Sequence, residues 1–131
     1  VRLTADTNIL VRTTLKDDTD QAESARQLLS RAENIAIPVA VFCELAWVLR
    51  RGYRYSREQV ILAISQFLEV SVVVTDRPAV EAGLALLARG GDFADGAIAH
   101  QGRALGGQVF ATFDATARRL LASQGYETVS P

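Results

Sequence analysis

Four acids stand where their neighbours do not explain them. Asp6 closes the short run Val1-Arg2-Leu3-Thr4-Ala5, and Asp114 follows Val109-Phe110-Ala111-Thr112-Phe113. Glu44 interrupts the apolar stretch Val41-Phe42-Cys43-Glu44-Leu45-Ala46-Trp47-Val48-Leu49, and Asp95 is set in Phe93-Ala94-Asp95-Gly96-Ala97-Ile98-Ala99. Carboxylates that converge repel, by about 4 kcal/mol for two charges ~4 Å apart at an effective dielectric of ~20. Such a pocket either raises its pKa values or holds a cation. An all-oxygen donor set with open positions suits Mg²⁺ or Mn²⁺. The matching chemistry is hydrolysis of a phosphodiester by a metal-activated water.

Local roles compete with that reading. Asp6 can equally cap the helix that follows it. Glu44 can lie on a solvent-facing side of its helix, since a lone charge is seldom buried without a partner. Other chemistries find less support. Cys43 is the only cysteine, which leaves no intrachain disulfide and no thiolate cluster for zinc, and it reads as a small buried side chain. His100 is the only histidine. Asn8 stands where an Asp-x-Asp phosphatase needs its second acid, and Lys16, the only lysine, is misplaced for a receiver-type phosphoacceptor site. Asp6-Thr7-Asn8 is not a Gly-rich dinucleotide turn.

The elements that must position these acids follow from periodicity. Arg2 to Ala5 reads as a strand and Thr7 to about Leu15 as a helix. After the polar break Lys16-Asp17-Asp18-Thr19-Asp20, a second helix is predicted from Gln21 to Ala32, then a short strand at Ile35-Ala36-Ile37. Pro38 suits the first turn of a helix that Gly52 stops. Ser56-Arg57-Glu58-Gln59 has the form of a capping box. Val70 to Thr75 is β-branched enough to predict a full strand. A helix opened by Asp76-Arg77-Pro78 ends near Gly90-Gly91, another runs from Phe93 to about Leu105, and Gln108 to Thr112 is a fourth strand. A last helix from Asp114 to Ser123 stops at Gly125, and Thr128-Val129 can form an edge strand. Gly96 and Gly102 each cost about 1 kcal/mol inside their helix relative to alanine, which predicts close approach of another backbone or a ligand.

Strands alternating with helices give a parallel sheet of four to five short strands with helices on both faces. In the order 3-2-1-4-5, Asp6 and Asp114 project from carboxyl ends of neighbouring strands where the winding reverses. At 131 residues the chain reads as a single domain over 1–131. Its composition, 49% hydrophobic and 22% charged, excludes general disorder. No secretory signal is evident at the start and no apolar run approaches the ~20 residues of a membrane span, so the expected location is the cytoplasm. With net charge −1 it is no general nucleic-acid sponge. Arginine makes up 13 of 14 basic residues, a bias that either phosphate recognition or a GC-rich genome produces.

Taken together, Asp6-Thr7-Asn8-Ile9-Leu10, Glu44-Leu45-Ala46-Trp47-Val48-Leu49, Asp92-Phe93-Ala94-Asp95 and Thr112-Phe113-Asp114 resemble the motifs of PIN-domain ribonucleases in order and spacing. More narrowly, the chain resembles VapC-type toxins of bacterial toxin–antitoxin pairs. The resemblance implies a three-layer α/β/α sandwich and Mg²⁺- or Mn²⁺-dependent cleavage of single-stranded or loop RNA. It implies that Asp6, Glu44, Asp95 and Asp114 form the metal site, with Asn8 and Thr112 supporting the acids by hydrogen bonds. A homodimer and a cognate VapB-type antitoxin, in a higher assembly or not, are the implied partners. Asp92 either extends the metal site or caps its helix.

The basic stretch Arg50-Arg51-Gly52-Tyr53-Arg54-Tyr55-Ser56-Arg57 has two readings, an RNA grip through Arg50, Arg51, Arg54 and Arg57 or a solvated connection. Trp47, with Phe42 and Leu49 nearby, reads as core or dimer interface rather than as an RNA platform. The rival functions are a catalytically silent RNA- or protein-binding module, a DNA nuclease, or another Mg²⁺-dependent phosphohydrolase.

Overall fold

A computed structural model describes residues 1–15 and 19–131. Lys16, Asp17 and Asp18 of the predicted polar break lie outside the described residues. The chain divides into two compact units, Val1–Asp76 and Arg77–Pro131.

The first unit is built on three parallel strands, β1 (Arg2–Thr4), β2 (Asn34–Ala36) and β3 (Val73–Val74), in the order β1-β2-β3. Leu3 lies opposite Ile35, and Ile35 opposite Val73. The ladder runs one residue past the strand ends, because the Ala5 N–H donates to the Ala36 carbonyl at 3.0 Å and that of Ile37 to Val74 at 2.9 Å. Asp6 is therefore the first residue beyond the hydrogen-bonded strand. Around the sheet pack α1 (Thr7–Thr14), α2 (Asp20–Ser30), α3 (Val39–Arg51) and α4 (Arg57–Leu68). Their apolar stripes supply Leu10, Ala25, Phe42, Leu45, Leu49, Val60 and Ile64 to a core shared with Ile35 and Ile37.

Local signals set most of these boundaries. The Thr19 side chain caps α2 by accepting from the Ala22 N–H. At α4 both halves of the capping box form: Ser56 Oγ accepts from the Gln59 N–H, and Gln59 Oε1 accepts from the Ser56 N–H. Pro38 sits one residue before α3, and Gly52 ends it in right-handed geometry. The predicted strand over 70–75 shrinks to two residues. The Val70 N–H donates to the Phe67 carbonyl and the Val70 carbonyl accepts from Val73, so a turn continuing from α4 consumes the first half of the β-branched run.

The second unit contains α5 (Arg77–Ala88), α6 (Phe93–Ala104), β4 (Val109–Ala111), α7 (Ala115–Ser123) and β5 (Glu127–Val129), with β4 and β5 parallel. Leu86, Ala99, Leu120 and Leu121 form its buried cluster, against which Phe110 and Tyr126 pack. Helices α5 and α6 meet through glycine. A Cβ on Gly96 would stand 2.5 Å from the Ala82 carbonyl oxygen, and one on Gly83 2.6 Å from the Phe93 ring. The close approach predicted at Gly96 is a backbone contact. At Gly102 no other backbone approaches, for a Cβ there would meet nothing within 4 Å.

The expected strand order is met as 3-2-1 in the first unit and as 4-5 in the second. No described helix is long and apolar enough to cross a membrane.

Candidate active site

In the first unit the acids hang on one strand end and one helix. Asp6 is the N-cap of α1, and its Oδ1 accepts from the Thr7 N–H at 2.7 Å. The carboxylate, itself exposed, is thus fixed to the backbone that leaves β1. Capping and chemistry are compatible here, because the cap occupies only one of the two oxygens. Thr7 is 7% exposed, and its hydroxyl donates to Glu44 Oε2 at 2.9 Å. That bond joins the strand-end turn to α3 across a separation of 37 residues. Glu44 is exposed, between buried Phe42 and Leu45, so it does lie on the open face of α3 and has a partner as well.

Asn8, expected to brace the acids, is exposed on the first turn of α1, where it lines a groove with Arg12, Gln21 and Ser24. The hydroxyl that reaches Glu44 belongs to Thr7 instead. Burial pushes the Cys43 thiol above its ordinary pKa, and the charge of Glu44 adds to the effect. The thiolate is disfavoured, as expected of a side chain that is not a nucleophile.

In the second unit two acids act on a third. Asp95, in the first turn of α6, is half-buried beside Gly96. Burial pushes its carboxyl above the usual carboxylate range, and the charges of Asp92 and Asp114 push it further. Asp92 occupies the N-cap position of α6 without a side-chain capping bond, so its carboxylate is not consumed by the helix end. Asp114 caps α7 through Oδ1, which accepts from the Ala117 N–H at 3.0 Å. Thr112 Oγ1 accepts from the Asp114 N–H at 3.1 Å, and Arg118 Nη1 donates to the Thr112 carbonyl at 2.9 Å. The turn that presents Asp114 is therefore held from both sides, by Thr112 and by a guanidinium from α7.

Thr7 and Arg118 escaped the sequence reading. Thr7 leaves one trace there, a polar residue in phase with Leu10 and Val11 on the buried side of α1; Arg118 leaves none. In the basic stretch, Arg50 Nη1 donates to the Tyr55 carbonyl at 3.1 Å, a use internal to the connection. Arg51 and Arg54 are exposed, and Arg57 opens α4. Trp47 is 64% exposed and not part of the core. It falls between Ala46 and Leu49, which face inward, and so points the other way on α3.

Carboxylates are the ligands a hard cation takes. Among the described residues no three His, Cys, Asp or Glu side chains stand close enough together to hold one as they are. The family description PIN domain matches residues 4–121, a span that takes in all four acids and reaches into both units. No curated protein matches the chain.

Proposed function

Because the chain belongs to the PIN-domain family, whose α/β fold is that of nucleases, we propose that it is a Mg²⁺- or Mn²⁺-dependent endoribonuclease. The observation that carries this reading is the state of Asp95. Its charge is opposed by burial, by Asp92 and by Asp114, an arrangement that costs stability unless a cation answers it. Asp6, Glu44, Asp95 and Asp114 would hold the ion, with Asp92 as a further oxygen donor. When bound, the ion supplies a water acidified toward neutrality and a countercharge for the phosphate.

The chain's own contribution is positioning. The Thr7 N–H holds Asp6 at the strand end, and the Thr7 hydroxyl orients Glu44. Thr112 and the α7 N-terminus orient Asp114. No protein nucleophile is needed, which agrees with a Cys43 thiol held protonated.

The biological role we propose is that of a VapC-type toxin, cytoplasmic and homodimeric, restrained by a cognate VapB-type antitoxin whose C-terminal segment covers the acids. A short neighbouring reading frame with a DNA-binding N-terminal half would support that role. The activity is tested by incubating the purified protein with single-stranded RNA, DNA and small phosphoesters in Mg²⁺ or Mn²⁺. RNA cleavage abolished by EDTA and by Asp6→Asn is expected. No cleavage, or cleavage indifferent to both, overturns the proposal.

A second reading with the same fold is a PIN-like module that binds RNA without cutting it. Retained RNA affinity with no metal binding would select it.

A further inference from the structure

One face of α3 is left open along its length. Ala40, Glu44, Trp47 and Arg51, spaced four, three and four residues apart, are all exposed, while Val39, Phe42, Leu45, Ala46 and Leu49 fill the core. Residues three and four apart are neighbours on a helix surface, with Cβ atoms ~5–6 Å apart. The indole of Trp47 therefore stands one turn from the Glu44 carboxylate on one side and one turn from the Arg51 guanidinium on the other. A single exposed apolar residue needs no explanation. Its placement between a site acid and a cation does.

We propose that Trp47 is the stacking platform for a base of the bound RNA, next to the phosphate presented to the acids, with Arg51 contacting the following phosphate. The proposal rests on the ribonuclease reading of Glu44. Three features favour a nucleotide over a second copy of the chain. On its helix the indole is flanked by the charges of Glu44 and Arg51, whereas the centre of a protein interface is depleted in charge. An indole offers about 150–250 Å², far below the ~800 Å² per partner of a standard interface. The neighbouring cations, Arg51 and then Arg54, are both exposed and suit a phosphate chain.

The chain contains one tryptophan, so its emission reports on this position alone. The test uses the full chain carrying Asp6→Asn, to prevent turnover, and a single-stranded RNA of about ten nucleotides. RNA is expected to quench the emission and shield it from iodide. Trp47→Ala is expected to weaken binding roughly 5- to 150-fold, the range for loss of one stacked base, with affinity largely restored in Trp47→Phe. Circular dichroism confirms that both variants fold.

RNA binding with unchanged emission, or unchanged affinity in Trp47→Ala, overturns the platform. So does an emission that is shielded without RNA and shifts with protein concentration, which would place a second copy there. Cleavage by the unmodified protein is measured in parallel. If cleavage occurs without quenching, the platform falls and the ribonuclease stands; if neither cleavage nor binding occurs, both fall.

Discussion

A hydroxyl in the right place can matter as much as a carboxylate. Thr7 ties Glu44 to the turn that carries Asp6, and Thr7→Val removes that tie with little change in shape. Stability is expected to fall by about 1 kcal/mol in urea titrations. If Glu44 holds the proposed ion, cleavage should fall further, roughly 10- to 100-fold, the loss typical of removing a group that orients a metal ligand. Asp95 offers a test with a definite sign. Its folded pKa lies above its unfolded one, so the folded state holds more protons between the two values. Stability from this group is intact below the ordinary carboxylate range and is lost as pH rises through the raised pKa. Asp95→Asn should therefore melt higher than the parent at neutral pH in EDTA, and the difference should vanish in acid. Thermal melts across pH check this, and a parent that melts higher throughout would contradict it.

Elements were legible where their signals are local. Ser56 and Gln59 announced α4 because both halves of a capping box lie within four residues. Asp6 and Asp114 were legible as strand-end acids for the same reason. The strand over 70–75 was misjudged because β-branched residues favour extension only where a partner strand is present, and here α4 overruns them. Gly96 and Gly102 look alike in sequence, yet only Gly96 meets another helix, a difference that depends on a partner about one helix away. Substitution separates them. Gly96→Ala should cost about 1–3 kcal/mol by forcing α5 and α6 apart, while Gly102→Ala should be neutral or stabilise by up to about 1 kcal/mol. Urea midpoints of the two variants measure both. Thr7 was missed and the core reading of Trp47 fails at this scale, because helical phase alone does not reveal which apolar residue a fold leaves outside.

At the scale of the whole molecule, the acids are shared between two compact units. Asp6 and Glu44 belong to Val1–Asp76, Asp95 and Asp114 to Arg77–Pro131. A ribonuclease that needs all four should be silenced from either unit. Asp6→Asn and Asp114→Asn are each expected to reduce cleavage by at least two orders of magnitude, and to remove the rise in melting temperature that Mn²⁺ gives the parent. A variant that keeps the Mn²⁺ shift would take its acid out of the proposed set.

Cys43 adds a clock. Its thiol is held protonated on α3, one residue from Glu44, and nucleophilic attack on an alkylating reagent requires the thiolate. The thiol is half-buried, so modification in the native state should be slow and should quicken whenever α3 loosens from its neighbours. Because this is the chain's only thiol, no cysteine need be introduced to time those openings. Glu44 rides on the same helix, so whatever stiffens its surroundings, whether an ion, RNA or a restraining protein, should slow the labelling about tenfold for each ~1.4 kcal/mol of opening free energy it adds.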